Sequence, residues 1–171
     1  MKTISKEYVL YSYDELSEEA QAKAVRDYTK NIEYPFLQCD LREYIHEDLI
    51  EAGYTHGEIT PLYSLSYCQG DGLMFTGTVT ETKTGNVFEI EHNGHYYHER
   101  STNISGYDKD GEGLNDDIVN DWEESFYIPL CKKNRDRGYR EIEYQESAEL
   151  FAETCDANEY TFLEDGKMFN E

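Results

Sequence analysis

The sequence predicts an α+β domain, an antiparallel meander of about four to five strands packed with three to five helices, and three observations point to it. Apolar residues recur at helical spacing up to Gly53 and again from Ile118 onward. Between these stretches, from Ile59 to Ile104, β-branched and aromatic residues punctuated by glycine take over. The 16 tyrosines and 7 phenylalanines then supply aromatic surface for a core that disordered acidic chains lack. A length of 171 residues suits one domain spanning 1–171.

Alternation of Tyr and Val over Glu7 to Tyr13 predicts an edge strand. Ser17 is a good N-cap and Glu18 and Glu19 favour the positive end of the helix dipole, so a helix over 18–30 follows, with Ala20, Ala24, Val25 and Tyr28 on its apolar stripe. Pro35 suits the first turn of a second helix, whose stripe is Leu37, Leu41, Tyr44, Ile45 and Leu49 and whose stop is Gly53. Both helices are expected on a common sheet. Its strands are read from LYSLSY, LMFTGTVT, NVFEIEH and HYYHERSTNI, with turns at Gln69-Gly70-Asp71-Gly72, Thr84-Gly85-Asn86 and Asn93-Gly94. A two-residue hairpin at Asn93-Gly94 sets His92 opposite His95, Ile90 opposite Tyr97 and Glu89 opposite His98. A third helix carries Ile118, Val119, Trp122 and Phe126 inward and Asp117, Asp121 and Glu124 outward. The charged stretch from Cys131 to Glu146 reads as helical near its end, with its continuity left open by Pro129 and Gly138. Ser147 caps a last helix through Leu150, Phe151 and Cys155, and EYTFLEDGKMF predicts a hairpin turning near Asp165-Gly166.

The formal charge of −22, from 37 acids against 15 bases, opposes approach to nucleic acid or an anionic membrane and accelerates encounter with basic surfaces. The expected partner is therefore a basic protein, with no direct nucleic-acid contact. Cys39, Cys68, Cys131 and Cys155 include no CxxC pair, so free thiols are expected. The opening MKTISKEYVLYSYDEL has no apolar stretch and no small-residue cleavage site, so no export signal is expected, and no window is apolar enough to span a membrane.

Few motifs carry chemistry. His92, His95 and His98 form an HxxHxxH run, but the hairpin register sends His98 to the opposite face from the other two, so no metal site is expected there. Asp108, Asp110 and Glu112 with Gly113 match positions 1, 3, 5 and 6 of a calcium loop; Val119 replaces the bidentate glutamate and Asn115 the usual apolar residue, so a solvated loop is expected. No P-loop, dinucleotide fingerprint or GxSxG occurs, so no cofactor and no catalytic residue is expected. Cys68, at the end of a strand, is expected to be a small buried hydrophobe. What remains is the acidic stretch itself: Asp108, Asp110, Glu112, Asp116, Asp117, Asp121, Glu123 and Glu124 lie within seventeen residues relieved only by Lys109. Carboxylates one helical turn apart, about 5–6 Å, approach the spacing of backbone phosphates, so this edge is the expected partner-binding site, as a nucleic-acid mimic.

Three stretches, YDELSEEAQAKAVRDY at 13–28, LYSLSYCQGDGLMFTG at 62–77 and ANEYTFLEDGKMF at 157–169, resemble a group of small acidic phage and prophage proteins. Most of that group is uncharacterised, some members carry an antitoxin label, and a few similar proteins are counted among anti-CRISPR inhibitors of Cas9. The segment from His92 to Arg140 departs from the group's pattern. The resemblance implies a phage or mobile-element protein, active in the host cytoplasm, that evades host defence by inhibiting a nuclease, Cas9 foremost, through a basic nucleic-acid groove. Two other expectations stay open: an antitoxin bound to one cognate toxin, and a metal-dependent enzyme acting on nucleic acid through Asp108, Asp110, Glu112 or the histidines.

Overall fold

A computed structural model describes residues 6–169; the first five residues of the stretch read above for export lie outside the described residues. The architecture is α+β, as expected. Strands β1 (Tyr54–Ser64), β2 (Gly72–Glu81), β3 (Val87–His92) and β4 (Thr102–Tyr107) form one antiparallel meander in that order. The α-helices are α1 (Glu18–Thr29), α2 (Leu37–Glu51), α3 (Asp116–Trp122), α4 (Ile128–Gln145) and α5 (Ala148–Ala157). The chain divides into two compact units, Met1–Tyr34 with Glu141–Glu171, and Pro35–Arg140. Among the described residues no helix is long and apolar enough to cross a membrane.

In the first unit Tyr13, Leu16, Ala20, Ala24, Phe151, Cys155 and Phe162 close a small core between α1 and α5. Both helices begin where their caps predict: the Ser17 hydroxyl accepts from Ala20 N at 3.3 Å and the Ser147 hydroxyl from Leu150 N at 3.2 Å. The expected N-terminal edge strand is reduced to one bridge, Tyr11 with Phe162. The C-terminal turn forms, with Gly166 N donating to Leu163 O at 2.9 Å, but its strands shrink to the Phe162–Met168 bridge.

In the second unit α2 packs along β1 and buries Leu37, Leu41, Ile45 and Leu49 completely, each worth about 1.5–3 kcal/mol of transfer free energy. Helix α1, expected on the same sheet, contributes Ala20 and Ala24 to the core of the first unit. Phe36 takes the N-cap position and Pro35 precedes it. Strand β1 starts at Tyr54, earlier than the sequence pattern suggested, because a register shift between His56 and Ile59 hides the alternation. Gly77 on β2 accommodates that bulge: its φ is +135° and a Cβ there would sit 2.4 Å from the Glu58 carbonyl oxygen.

The Asn93-Gly94 hairpin does not form. Strand β3 pairs instead with residues 102–107, setting Ile90 against Ile104 and His92 against Thr102, and residues 93–101 make a long connection. Asn93 N donates to Ser101 O at 3.0 Å and Ser101 N to His98 O at 2.8 Å, closing the loop while Glu99 and Ser101 are buried beneath it.

Helices α3 and α4 are joined through a π-helical turn, Glu123–Tyr127, in which Ile128 N reaches Glu123 O. This turn carries the chain into α4 past Pro129, whose ring and missing N–H disfavour an ordinary α turn. The helix runs unbroken through Gly138: a Cβ there would lie 2.6 Å from Leu65 Cδ1, so the glycine is a close-packing position. Trp122 stacks on Phe88 at 4.0 Å and donates its indole N–H to Tyr54 Oη at 3.1 Å. Tyr127 is fully buried; its hydroxyl accepts from Phe75 N at 3.1 Å and donates to Phe75 O at 2.8 Å. The β2–β3 ladder begins only at Gly77, so this hydroxyl replaces the missing neighbour of the central strand. Ile118, expected inward, is exposed. The charged segment of α4 turns one polar row onto α2: buried Asp48 accepts from Lys133 Nζ at 2.8 Å, Asn134 Nδ2 at 3.0 Å and Arg137 Nη1 at 3.1 Å.

Candidate functional site

The eight acids singled out above fall into two groups. Asp108 is used by its own loop: its Oδ1 accepts from Asp110 N and Glu112 N, both at 2.9 Å, while Asp108 N donates to Glu112 O at 2.8 Å. These are the bonds of a tight turn, in which Gly111 takes a φ of +85°. Glu124 is held by Arg100 in a two-pronged pair, 2.6 and 3.0 Å, and those hydrogen bonds lower its pKa. Glu123 is half-buried, and burial followed by the like charge of Glu124 raises its pKa.

Asp110, Glu112, Asp116, Asp117 and Asp121 differ from these. All five are exposed, and none has an ion-pair partner among the described residues. The N-cap Asn115, whose Oδ1 accepts from Asp117 N at 2.8 Å, fixes where α3 begins and hence where Asp116 and Asp117 stand. Strand β4, the loop after it and α3 thus form one acidic ledge. Beside it runs a cleft of about 400 Å³ between β4 and α3, with Ile104, Leu114 and Val119 on its walls and Asp116 and Asn120 among its polar lining. Gly106 lets α3 approach β4, since a Cβ there would meet Val119 Cγ2 at 2.7 Å. The cleft, Asn120 and the flank of β4 were not legible in the sequence, because residues 95–104 read there as a single strand.

The other candidates separate. His92 Nε2 lies 3.1 Å from Tyr96 O, and His98 Nε2 lies 3.3 Å from Glu99 Oε2, where the hairpin register had given it Glu89. Among the described residues no three His, Cys, Asp or Glu side chains gather as metal ligands would. The cysteines are free: Cys131 and Cys155 are buried, Cys39 and Cys68 exposed. Burial pushes the Cys155 thiol up to about 11.

Cys68 is exposed, contrary to expectation, because the Gln69-Gly70-Asp71-Gly72 segment belongs to a longer loop organised by Asp71. The Asp71 carboxylate accepts from Tyr139 Oη at 2.6 Å, Ser66 N at 2.7 Å, Cys68 N at 3.0 Å, Ser64 Oγ at 3.0 Å and Ser66 Oγ at 3.1 Å. The Tyr139 bond, with the backbone amides behind it, holds Asp71 far below the usual carboxylate range. Burial, then the bond to Asp71, pushes Tyr139 up to about 12. Comparison with family models, curated proteins and solved structures returned no match to this chain, so the acidic ledge and its cleft stand as the candidate site on their geometry alone.

Proposed function

We propose that the protein acts by binding: it lays its acidic ledge into the basic groove of a host defence nuclease, Cas9 foremost, and keeps nucleic acid out. The observation that carries this reading is the set of five exposed carboxylates, Asp110, Glu112, Asp116, Asp117 and Asp121, left without a cation of their own chain. A chain of net charge −22 is steered toward such a groove and away from the nucleic acid that the groove normally holds. The resemblance of residues 13–28, 62–77 and 157–169 to small acidic phage proteins supports a mobile-element setting and names the nuclease to try first.

The test is co-purification and DNA cleavage with type II Cas9 proteins, with and without guide RNA, across a salt series. A complex that abolishes cleavage and weakens steeply as salt rises is the expected result. Failure with every Cas9 tried, alongside salt-sensitive binding to a small basic toxin, moves the partner to an antitoxin pairing and leaves the ledge as the contact.

A further inference from the structure

The two edges of the sheet are protected differently. Strand β1 carries a bulge between His56 and Ile59, has Pro61 in its run, and has the Pro61 carbonyl covered by Gln38 Nε2 at 3.2 Å. Bulges, prolines and covering side chains are the devices by which proteins prevent an edge from pairing with another chain. Strand β4, Thr-Asn-Ile-Ser-Gly-Tyr, contains no proline, no lysine and no bulge against β3.

The direction of its backbone groups follows from two hydrogen bonds. Asn93 N donates to Ser101 O at 3.0 Å, which turns the odd-numbered residues toward β3. Leu114 N donates to Gly106 O at 2.9 Å, which turns the even-numbered ones away from it. Because the pattern alternates along an antiparallel pair, Thr102 and Ile104 also present N–H and C=O outward. Leu114 occupies the Gly106 position; the outward groups of Thr102 and Ile104 have no partner among the described residues.

We infer that this open edge is where the partner docks: an extended protein segment bearing lysine or arginine adds to β4 as a fifth strand, with alternate side chains in the cleft and its cations on the ledge. The inference rests on the basic-partner reading above and assigns the contact its main-chain half. In strand addition the backbone bonds carry affinity and the flanking pockets select side chains. Here the cleft offers Ile104, Leu114 and Val119 to an apolar side chain, and Asp116 lies in the same lining to receive a cation. Charge favours a basic segment over a second copy of the chain as occupant, since each copy carries −22.

The probe is a nonapeptide of alternating lysine and valine titrated into the ¹⁵N-labelled protein, beside the same peptide with every backbone amide N-methylated. Expected are shifts of the Thr102, Ile104 and Gly106 amides and about tenfold slower hydrogen exchange at Thr102 and Ile104. The N-methylated peptide loses these effects. Ile104→Pro, which removes an outward donor and leaves the β3 ladder intact, weakens binding at least about tenfold. Equal binding of both peptides, mapped to Asp110, Asp116 and Asp121 with the β4 amides unmoved, overturns strand addition and leaves the ledge reading standing. No binding of the unmodified peptide while Cas9 still binds overturns it as well; loss of both discards the two readings together. Should Ile104→Pro fail to fold, the peptide pair alone decides.

Discussion

The turn around Asp71 and the ledge from Asp110 to Asp121 use the same carboxylate chemistry in opposite ways. At Asp71 two backbone amides and three hydroxyls converge on one side chain, so its charge is spent on holding residues 64–72 in shape. On the ledge five carboxylates face solvent with no cation from their own chain. Acid density therefore does not identify a binding surface; what identifies it is which carboxylates the chain has left unsatisfied. Asp108 makes the point within the ledge's own sequence, since it looks like its neighbours and is consumed by two backbone amides.

The largest effect is expected at the ledge. Charge reversal of Asp110, Asp116, Asp117 and Asp121 to lysine should lower the association rate with a basic partner by about tenfold or more and flatten its salt dependence, read by surface plasmon resonance. Stability should change little, apart from a few tenths of a kcal/mol lost at Asp116 and Asp117 in the first turn of α3. A fall in melting temperature as large as the loss of binding would show that the ledge is structural after all.

Asp71→Asn should do the reverse, leaving partner binding intact while lowering the melting temperature and speeding amide exchange at Ser66 and Cys68. The folded pKa of Asp71 is depressed, so its contribution is present above about pH 4, the ordinary carboxylate range, and is lost as pH falls below it. Tyr139 has the opposite sign: its pKa is raised to about 12, so its contribution is complete below about pH 10 and disappears between the two values. Absorbance at tyrosinate wavelengths should show this titration moving down toward about 10 in Asp71→Asn. An unmoved titration would mean that burial alone raises it.

The smallest effect is expected at Glu123. Burial and Glu124 raise its folded pKa, so its charged form opposes folding and protonation relieves that cost as pH falls. Glu123→Gln should therefore raise the melting temperature by about a degree or two at neutral pH. A decrease would place the carboxylate in a stabilising contact.

Local signals carried the helices. Ser17, Ser147 and Gly53 mark their ends by capping chemistry that acts within a few residues, and all three marks hold. Long-range partners were not legible. Nothing near Asp71 announces Tyr139, 68 residues away, and nothing near Asn93 announces that Glu99 and Ser101 will be buried or that β3 will pair with residues 102–107. The acids of the site were visible as density, whereas their sorting into spent and free required the hydrogen bonds. The edge of β4 stayed hidden because its register depends on that pairing.

One signal was present and easy to misread. One buried row along the α3–α4 segment is Val119, Trp122, Tyr127, Cys131, Asn134, Gly138 and Ile142, with Ile128 and Leu130 buried beside it, and in that row the step from Trp122 to Tyr127 is five residues where the others are three or four. The π turn absorbs that odd step. Without its additional residue everything after it would be rotated by about 100°, carrying Tyr127 away from Phe75 and the polar row away from Asp48. The acidic half of the segment and its basic half are thus phased separately, each able to face its own neighbours although a single stretch of helical backbone connects them.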